Sequence, residues 1–308
     1  MKLIRGFHAI ESAQRGCVIT LGNFDGMHLG HQALLQQLKS LSKQTQSPSL
    51  VLLFEPHPQE YFLKKQAPAR LLRVSDKLKL LRALQIDYVV CLRFNETIAR
   101  ITAEEFITHY LVQRLAIRGC VVGIDVRFGY QGKGNFALLK QLGREYSFIT
   151  LGLPPIFYEG VRISSSHIRR DLSEQKFTQA SYLLTRPFTI NGRVIHGQAR
   201  GRQLGFPTAN IALHRLVSPV HGVFIVRVYG LEEQPLLGIA NIGRRPSFQG
   251  TQELLEVHLL NFSQSIYGKF LEVEFLKKIR EEKKFMNPEQ LRMQIAHDKL
   301  VAEYYFKH

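Results

Sequence analysis

The sequence predicts an α/β chain of two domains. Residues 1–185 form a doubly wound parallel sheet covered by helices, and residues 186–308 form a small antiparallel β-barrel with a closing helix. Three observations carry this. Up to about residue 185, short continuously apolar runs alternate with segments of helical period, the pattern of a parallel sheet buried on both faces. After T185-R-P-F188 the runs alternate apolar and polar residues and are separated by glycine or proline, as half-buried antiparallel strands require. The chain also has 308 residues, long for a single core.

In the first half the predicted strands are Val18 to Leu21, Leu50 to Phe54, Tyr88 to Leu92 and Cys120 to Ile124, with a weaker one near Phe148 to Leu151. Helical period runs through 34–41, 75–84 and 103–115, with Ser75 as the expected N-cap of the second. In the second half, 222–229, 254–260 and 270–275 read as strands. A closing helix is expected from Pro288 to Tyr305, with Leu291, Ile295, Leu300 and Tyr304 as its apolar stripe, and the domain boundary near 183–188.

Composition narrows the partners. A hydrophobic fraction of 45% with 21% charged residues is that of a globular protein rather than a disordered one. No apolar run approaches the length of a membrane span, and the N-terminus lacks a secretory h-region, so the cytoplasm is expected and no membrane partner. Cys17, Cys91 and Cys120 lack metal or redox spacing and read as buried reduced thiols. A net charge of +16 suits an anionic partner, leaving polynucleotide, anionic lipid and nucleoside triphosphate open.

The stretch G22-N-F-D-G-M-H-L-G-H31 follows the first of these predicted strands. In a parallel α/β sheet that turn is the usual phosphate site: glycines let the backbone approach an anion, and the helix start supplies unpaired N–H groups. His28 and His31, three residues apart, lie on one side of the first helical turn and can donate to one phosphoryl group. The stretch is neither the G-x-x-x-x-G-K-[ST] loop nor G-x-G-x-x-G, and a zinc reading lacks the glutamate of H-E-x-x-H. By spacing alone, a structural turn with incidental histidines is an equal reading.

The second half has its own chemistry. Gly201 and Gly205 with Arg200 and Arg202 make a flexible cationic loop, and the P-T-A-N stretch from Pro207 to Asn210 offers a hydroxyl and an amide carbonyl. Thr208 and Asn210 fall on one side of an extended segment, which permits joint coordination of Mg²⁺. Glu256 and His258 share the strand face opposite Leu255, Val257 and Leu259.

The form G-N-F-D-G-x-H-x-G-H resembles the signature of the bifunctional prokaryotic riboflavin kinase/FMN adenylyltransferase family, within the nucleotidyltransferase superfamily. F54-E-P-H-P, G123-I-D-V-R-F-G129 and R162-I-S-S-S-H-I-R169 extend the likeness, as do H196-G-Q-A-R-G-R-Q-L-G-F-P-T-A-N-I211, G238-I-A-N-I-G-R-R-P and E256-V-H-L-L-N-F. The resemblance covers nearly the whole chain. It implies a Rossmann-like nucleotidyltransferase domain that joins FMN to ATP with release of pyrophosphate, yielding FAD, and a barrel that phosphorylates riboflavin to FMN. It implies Glu256 as the base for the riboflavin hydroxyl, and His28 and His31 as catalytic groups on the triphosphate. Nucleotide phosphate contacts are implied at Gly22, Phe24, Gly26, Arg162, Ser164, Ser165, Arg169, Gly201, Arg202 and Gly205, and flavin contacts at Phe54, His57 and Asp125. Asn261, Ser247 and Val126 depart from the family pattern, as does the L-T-R-P join at Leu184 to Pro187. The rival within enzymes is a related nucleotidyltransferase with a single active domain or another phosphate acceptor, and the rival outside enzymology is RNA binding, with Phe224, Tyr229 and Phe248 stacking bases on a basic barrel; the bifunctional reading expects no nucleic acid and leaves oligomeric state open.

Overall fold

The computed structural model describes residues 1–308 except 198–200, 202–203, 214, 216 and 248–249; at 244–247 and 250–252 it describes the backbone alone. Arg200, Arg202 and Phe248 therefore lie outside the described residues. The chain separates into two compact units, Met1–Pro68 with Leu72–His167, and Ala69–Leu71 with Ile168–His308.

In the first unit, strands β1 (Lys2–Arg5), β2 (Val18–Leu21), β3 (Ser49–Glu55), β4 (Tyr88–Arg93), β5 (Gly119–Gly123) and β6 (Ile149–Leu153) form one parallel sheet in the order β1-β4-β3-β2-β5-β6. Its helices are α1 (Leu29–Gln44), α2 (Pro58–Leu63), α3 (Val74–Ala83), α4 (Glu96–Arg100), α5 (Ala103–Glu105) and α6 (Phe136–Glu145). Alternate residues of β2 and β5 feed two separate cores: Ile19 and Cys120 pack with Phe106 and Leu111, whereas Val18 and Val121 pack with Leu35 and Leu38. That is why these strands read as continuous apolar runs. The chain runs outward from β2 through β3 to β4, then returns to place β5 on the other side of β2. The crevice beyond the ends of β2 and β5 is thus the switch point where such sheets bind ligands.

Helix α1 buries Leu34, Leu35, Leu38 and Leu41 at three- and four-residue steps. Ser75 is not the N-cap of α3: the helix starts at Val74 behind Arg73, and Asp76 in its first turn pairs with Arg73 at 3.2 Å. The predicted 103–115 helix begins under a Thr102 cap and continues as a π-helix over Phe106–Arg114. Burial pushes the Cys17 and Cys120 thiols up to about 12, as inert core residues.

A two-stranded hairpin, β7 (Phe157–Tyr158) with β8 (Val161–Arg162), precedes α7 (Ser165–Ser173) and α8 (Phe177–Leu184). The second unit then closes a six-stranded antiparallel barrel from β9 (Thr189–Ile195), β10 (Ala209–Ala212), β11 (Gly222–Tyr229), β12 (Leu236–Ser247), β13 (Gly250–Leu259) and β14 (Phe270–Arg280), in the order β10-β13-β12-β11-β14-β9. The barrel is filled by residues such as Ile211, Val226, Leu255, Val257 and Val273, each fully buried. Helix α9 (Pro288–Lys307) starts at an Asn287 cap, whose side chain accepts from Gln290 N.

The expected stripe of α9 is corrected. Leu291 and Ile295 are partly buried and Ala302 fully so, but Leu300 and Tyr304 are 63% and 68% exposed. At 3.6 residues per turn, Leu300 and Tyr304 fall on the face opposite Ile295 and Ala302. The stacking role expected of Phe224 in RNA binding is also corrected, since its ring is 1% exposed and packs edge-on against Phe177 and Phe275. Among the described residues, no helix is long and apolar enough to cross a membrane.

Candidate functional site

The loop after β2 is built around buried aromatic support. Phe24 adopts φ +48° and is 1% exposed; its ring lies against Gly22, where a Cβ would stand 3.2 Å from it, and 5.1 Å from the His31 ring. Gly26 takes φ +87°, which glycine alone adopts freely. His28 is the N-cap of α1 and its Nδ1 accepts from His31 N at 3.4 Å. An imidazole that accepts there is neutral and carries its proton on Nε2, which leaves Nε2–H as its donor. The two rings stack with centroids 3.7 Å apart. Burial first, then the electrostatic influence of the adjacent His28 and of Lys77, holds His31 well below the usual histidine range, and its Nδ1 accepts no hydrogen bond among the described residues. The loop therefore presents two neutral imidazoles, one over the other, at the start of a 16-residue helix.

Asp25, 3% exposed, ties this loop to its surroundings: its Oδ1 accepts from Leu72 N at 2.9 Å, and its carbonyl accepts from Ser165 Oγ at 2.7 Å. Ser165 thereby joins the second predicted phosphate stretch to the first. Ser164 accepts from His167 N at 3.1 Å, as a helix cap does. Arg162 pairs with Asp125 on the surface, bringing together two residues expected at different ligands. In the second unit, Arg169 Nε donates to the Ala69 carbonyl.

Beside the histidine loop lies a cavity of about 300 Å³, lined by Gly22 and Asn23 together with Phe54, Phe62, Val126 and Phe128. Phe94 meets Phe54 and Phe62 edge-on at 5.8 and 5.6 Å, giving the cavity an aromatic wall suited to a flat ring system. His57 does not line it. Its Nδ1 caps α2 by accepting from Gln59 N at 3.1 Å, a role available to any acceptor before a proline-started helix.

The barrel carries the second constellation. Asn210 on β10, Glu256 on β13 and Asn241 on β12 stand directly opposite one another across three strands. Directly opposed residues point to one side, so a carboxylate sits between two amides. Asn210 Oδ1 and Asn241 Oδ1 are buried and accept no hydrogen bond among the described residues, although Asn241 Nδ2 donates to Glu282 at 3.3 Å. Unsatisfied buried carbonyl oxygens are costly unless something else fills them. Asn210 and Thr208 line one cavity, and their amide and hydroxyl oxygens are neutral, hard donors, which fit a Mg²⁺ that takes its remaining ligands from phosphates and water.

Two cavities meet at Thr208. One, about 330 Å³, is lined by Glu256, Asn241 and His258 with Phe285, Leu291 and Ile295; the other, about 240 Å³, by Gly197, Pro207, Asn210 and Tyr267. His258 donates from Nδ1 to the Pro207 carbonyl at 2.9 Å, which pins the P-T-A-N segment, and burial lowers its pKa so that it stays neutral. The Gly201 carbonyl accepts from Leu204 N and Phe206 N, and a Cβ there would stand 2.4 Å from the Phe206 carbonyl. Gly205 takes φ +83° with open space around it.

Sequence reasoning missed Asn241, Asn23, Phe62, Asp25 and Lys77. Lys77 is 2% exposed on α3 and acts electrostatically on His31. The signal for Asn241 was its place in the G238-I-A-N stretch; its alignment with Glu256 depends on the β12–β13 register.

Comparison with known proteins matches the two halves of the chain to two families. Residues 10–167 match the FAD synthetase family and residues 184–306 the riboflavin kinase family. The bifunctional riboflavin kinase/FMN adenylyltransferase of Escherichia coli (strain K12) is 47% identical over 307 residues, covering 99% of this chain and 98% of that one. The protein of the same name from Haemophilus influenzae is 44% identical over 306 residues, covering 99% of each. A crystal structure described as a macrolide-efflux protein from Streptococcus pneumoniae is similar at TM-score 0.79 and 29% identity, over 98% of both chains. With a parallel-sheet unit and a barrel unit each matched in turn, and relatives this similar over their full length, the chain belongs to the bifunctional riboflavin kinase/FMN adenylyltransferase family.

Proposed function

We propose that the two activities of the family divide between the two constellations, adenylyl transfer at the histidine loop and phosphoryl transfer at the Glu256 row. The chain is a riboflavin kinase and an FMN adenylyltransferase. The proposal concerns which residues perform each reaction, with the functional boundary near residue 185.

For the kinase, riboflavin lies in the 330 Å³ cavity against Phe285, Leu291 and Ile295, and its 5′-hydroxyl reaches Glu256. ATP occupies the neighbouring cavity along Pro207 to Asn210, so acceptor and γ-phosphate meet at Thr208, which borders both. Glu256 takes the hydroxyl proton as the new O–P bond forms and ADP departs. Thr208 and Asn210 would hold Mg²⁺, which supplies charge neutralisation for the phosphates. Gly201, Gly205 and Arg202 follow the resemblance as phosphate contacts. Asn241 orients Glu256 or the hydroxyl from the opposite side.

For the adenylyltransferase, the flavin ring lies in the 300 Å³ aromatic cavity and its phosphate reaches past Gly22 and Asn23 to the loop. An FMN phosphate oxygen attacks the α-phosphorus of ATP and pyrophosphate leaves; His28 and His31 donate to the charge that builds on the transferring group. A bound phosphate stabilises the imidazolium of His31, which burial disfavours in the free site. Phe24 supports the histidine with its buried side chain, while Gly22 and Gly26 give the backbone its approach. Ser164, Ser165, Arg162 and Arg169 follow the resemblance as phosphate contacts, and Asp125 pairs with Arg162 at the flavin side. A cytoplasmic location and the absence of a nucleic-acid partner belong to the same proposal.

The observation that carries this reading is the row of Asn210, Glu256 and Asn241, with two unsatisfied amide oxygens flanking one carboxylate. Incubation with riboflavin, ATP and Mg²⁺, followed by chromatography of the flavins, tests it: FMN and then FAD are expected. Unaltered riboflavin, together with salt-sensitive polynucleotide binding, would favour the RNA reading.

Gly197 gives a finer check. A Cβ there would stand 2.2 Å from Asn210 Nδ2, so Gly197→Ala must push the amide away. FMN formation is expected to fall by about tenfold or more and barrel stability by about 1–3 kcal/mol, read by product formation and thermal melting. An unchanged rate would remove Asn210 from the site.

A further inference from the structure

Strand β10 joins β13 from Ala209 onward, where Ala209 faces Val257. Pro207 and Thr208 stand just before that ladder, and Pro207 has no N–H to donate. Upstream, Phe206 N donates to the Gly201 carbonyl at 2.8 Å. Between these two anchors the segment is held by a side chain, since His258 Nδ1 donates to the Pro207 carbonyl at 2.9 Å. The His258 ring is 8% exposed, with the Phe206 ring edge-on at 5.5 Å, so it is enclosed where it makes that bond. It lines the cavity that holds Glu256, two residues away on the same strand face. The residue that follows the bonded carbonyl is Thr208, which borders both kinase cavities.

We infer that His258 is a positioning residue of the kinase: by holding the Pro207 carbonyl it sets Thr208 where the nucleotide phosphates meet the riboflavin hydroxyl. This rests on the assignment of the two cavities to riboflavin and ATP. The role requires only a donor at Nδ1. Neutral imidazole with its proton there supplies one, and imidazolium would too, so no proton is exchanged with substrate. Pro207 is exposed, so without that donor water takes up the carbonyl and the fold survives. The segment is then free to drift, and Mg-ATP must order it on binding, which weakens nucleotide binding more than it slows the transfer itself.

Steady-state kinetics of FMN formation by the full chain, with Mg-ATP varied at saturating riboflavin, test this. His258→Leu, which offers no donor, is expected to raise the KM for Mg-ATP by about tenfold or more with kcat lowered by less than about threefold. His258→Asn is expected to restore the KM to near the normal value, because its Nδ2 stands one bond from Cγ as the histidine Nδ1 does. FAD formation from supplied FMN should be normal in both, which also reports an intact chain. Should the leucine variant fail to fold, His258→Gln makes the same comparison, since its amide reaches the place of Nε2 and leaves the carbonyl without its donor. An unchanged KM in the donorless variants, an equal rise in His258→Asn, or a collapse of kcat at unchanged KM in His258→Asn would each overturn the inference, the last because it would make the ring a proton carrier. FMN formation that survives Glu256→Ala would overturn the cavity assignment and this inference with it, whereas loss there beside a normal KM in His258→Leu would overturn this inference alone.

Discussion

Glu256→Ala is expected to lower FMN formation from riboflavin by about 10²–10⁴-fold while leaving FAD formation from supplied FMN intact. Glu256 sits in the row between Asn210 and Asn241, where its loss removes the proposed proton acceptor but neither amide. Its strand neighbours Leu255 and Val257 are fully buried inside the barrel, whereas Glu256 is only half-buried, so truncation empties little core volume. The barrel should therefore melt near its normal temperature. Rates of the two half-reactions, measured separately with the two flavins, check this. Equal loss of both in a folded variant would contradict independent sites.

The converse result is expected for His31→Ala. FAD formation from FMN should fall by about 10²-fold or more, the scale seen when one preorganised donor to a developing charge is removed, with FMN formation retained. The geometry makes His31 more than a surface donor. It stacks on His28 at 3.7 Å and rests on Phe24, so its removal also frees the His28 ring that it orders. Separate assays of the two transfers, with circular dichroism to confirm folding, measure the effect. Undiminished adenylyl transfer would take His31 out of the machinery.

Much of this architecture was legible because burial leaves a direct mark on sequence. Strands β2 to β5 are buried on both sides and read as apolar runs to within a residue or so at either end, and the loop after β2 announced itself through its glycines, of which Gly26 takes a positive φ. Strand β1 was missed: only Ile4 of its four residues is buried, and it pairs with β4 alone at the sheet edge. The stripe of α9 was misread because a helix with two apolar faces offers two ways to connect its leucines. His57 was expected at the flavin, yet a histidine before proline at a helix start serves equally as a cap. Asn241 and Asp25 were invisible for a different reason. Their roles come from partners far along the chain, Glu256 on the neighbouring strand and Leu72 and Ser165 around the loop, and no local pattern encodes such pairings.

The central claim, two separate sites that act in succession through released FMN, is tested most directly by mixing the two disabled proteins. Neither Glu256→Ala nor His31→Ala alone should convert riboflavin to FAD with ATP and Mg²⁺. Together they are expected to do so, the His31 variant supplying FMN and the Glu256 variant adenylylating it. A mixture that accumulates no FAD, although each variant still performs its own half-reaction, would contradict the account.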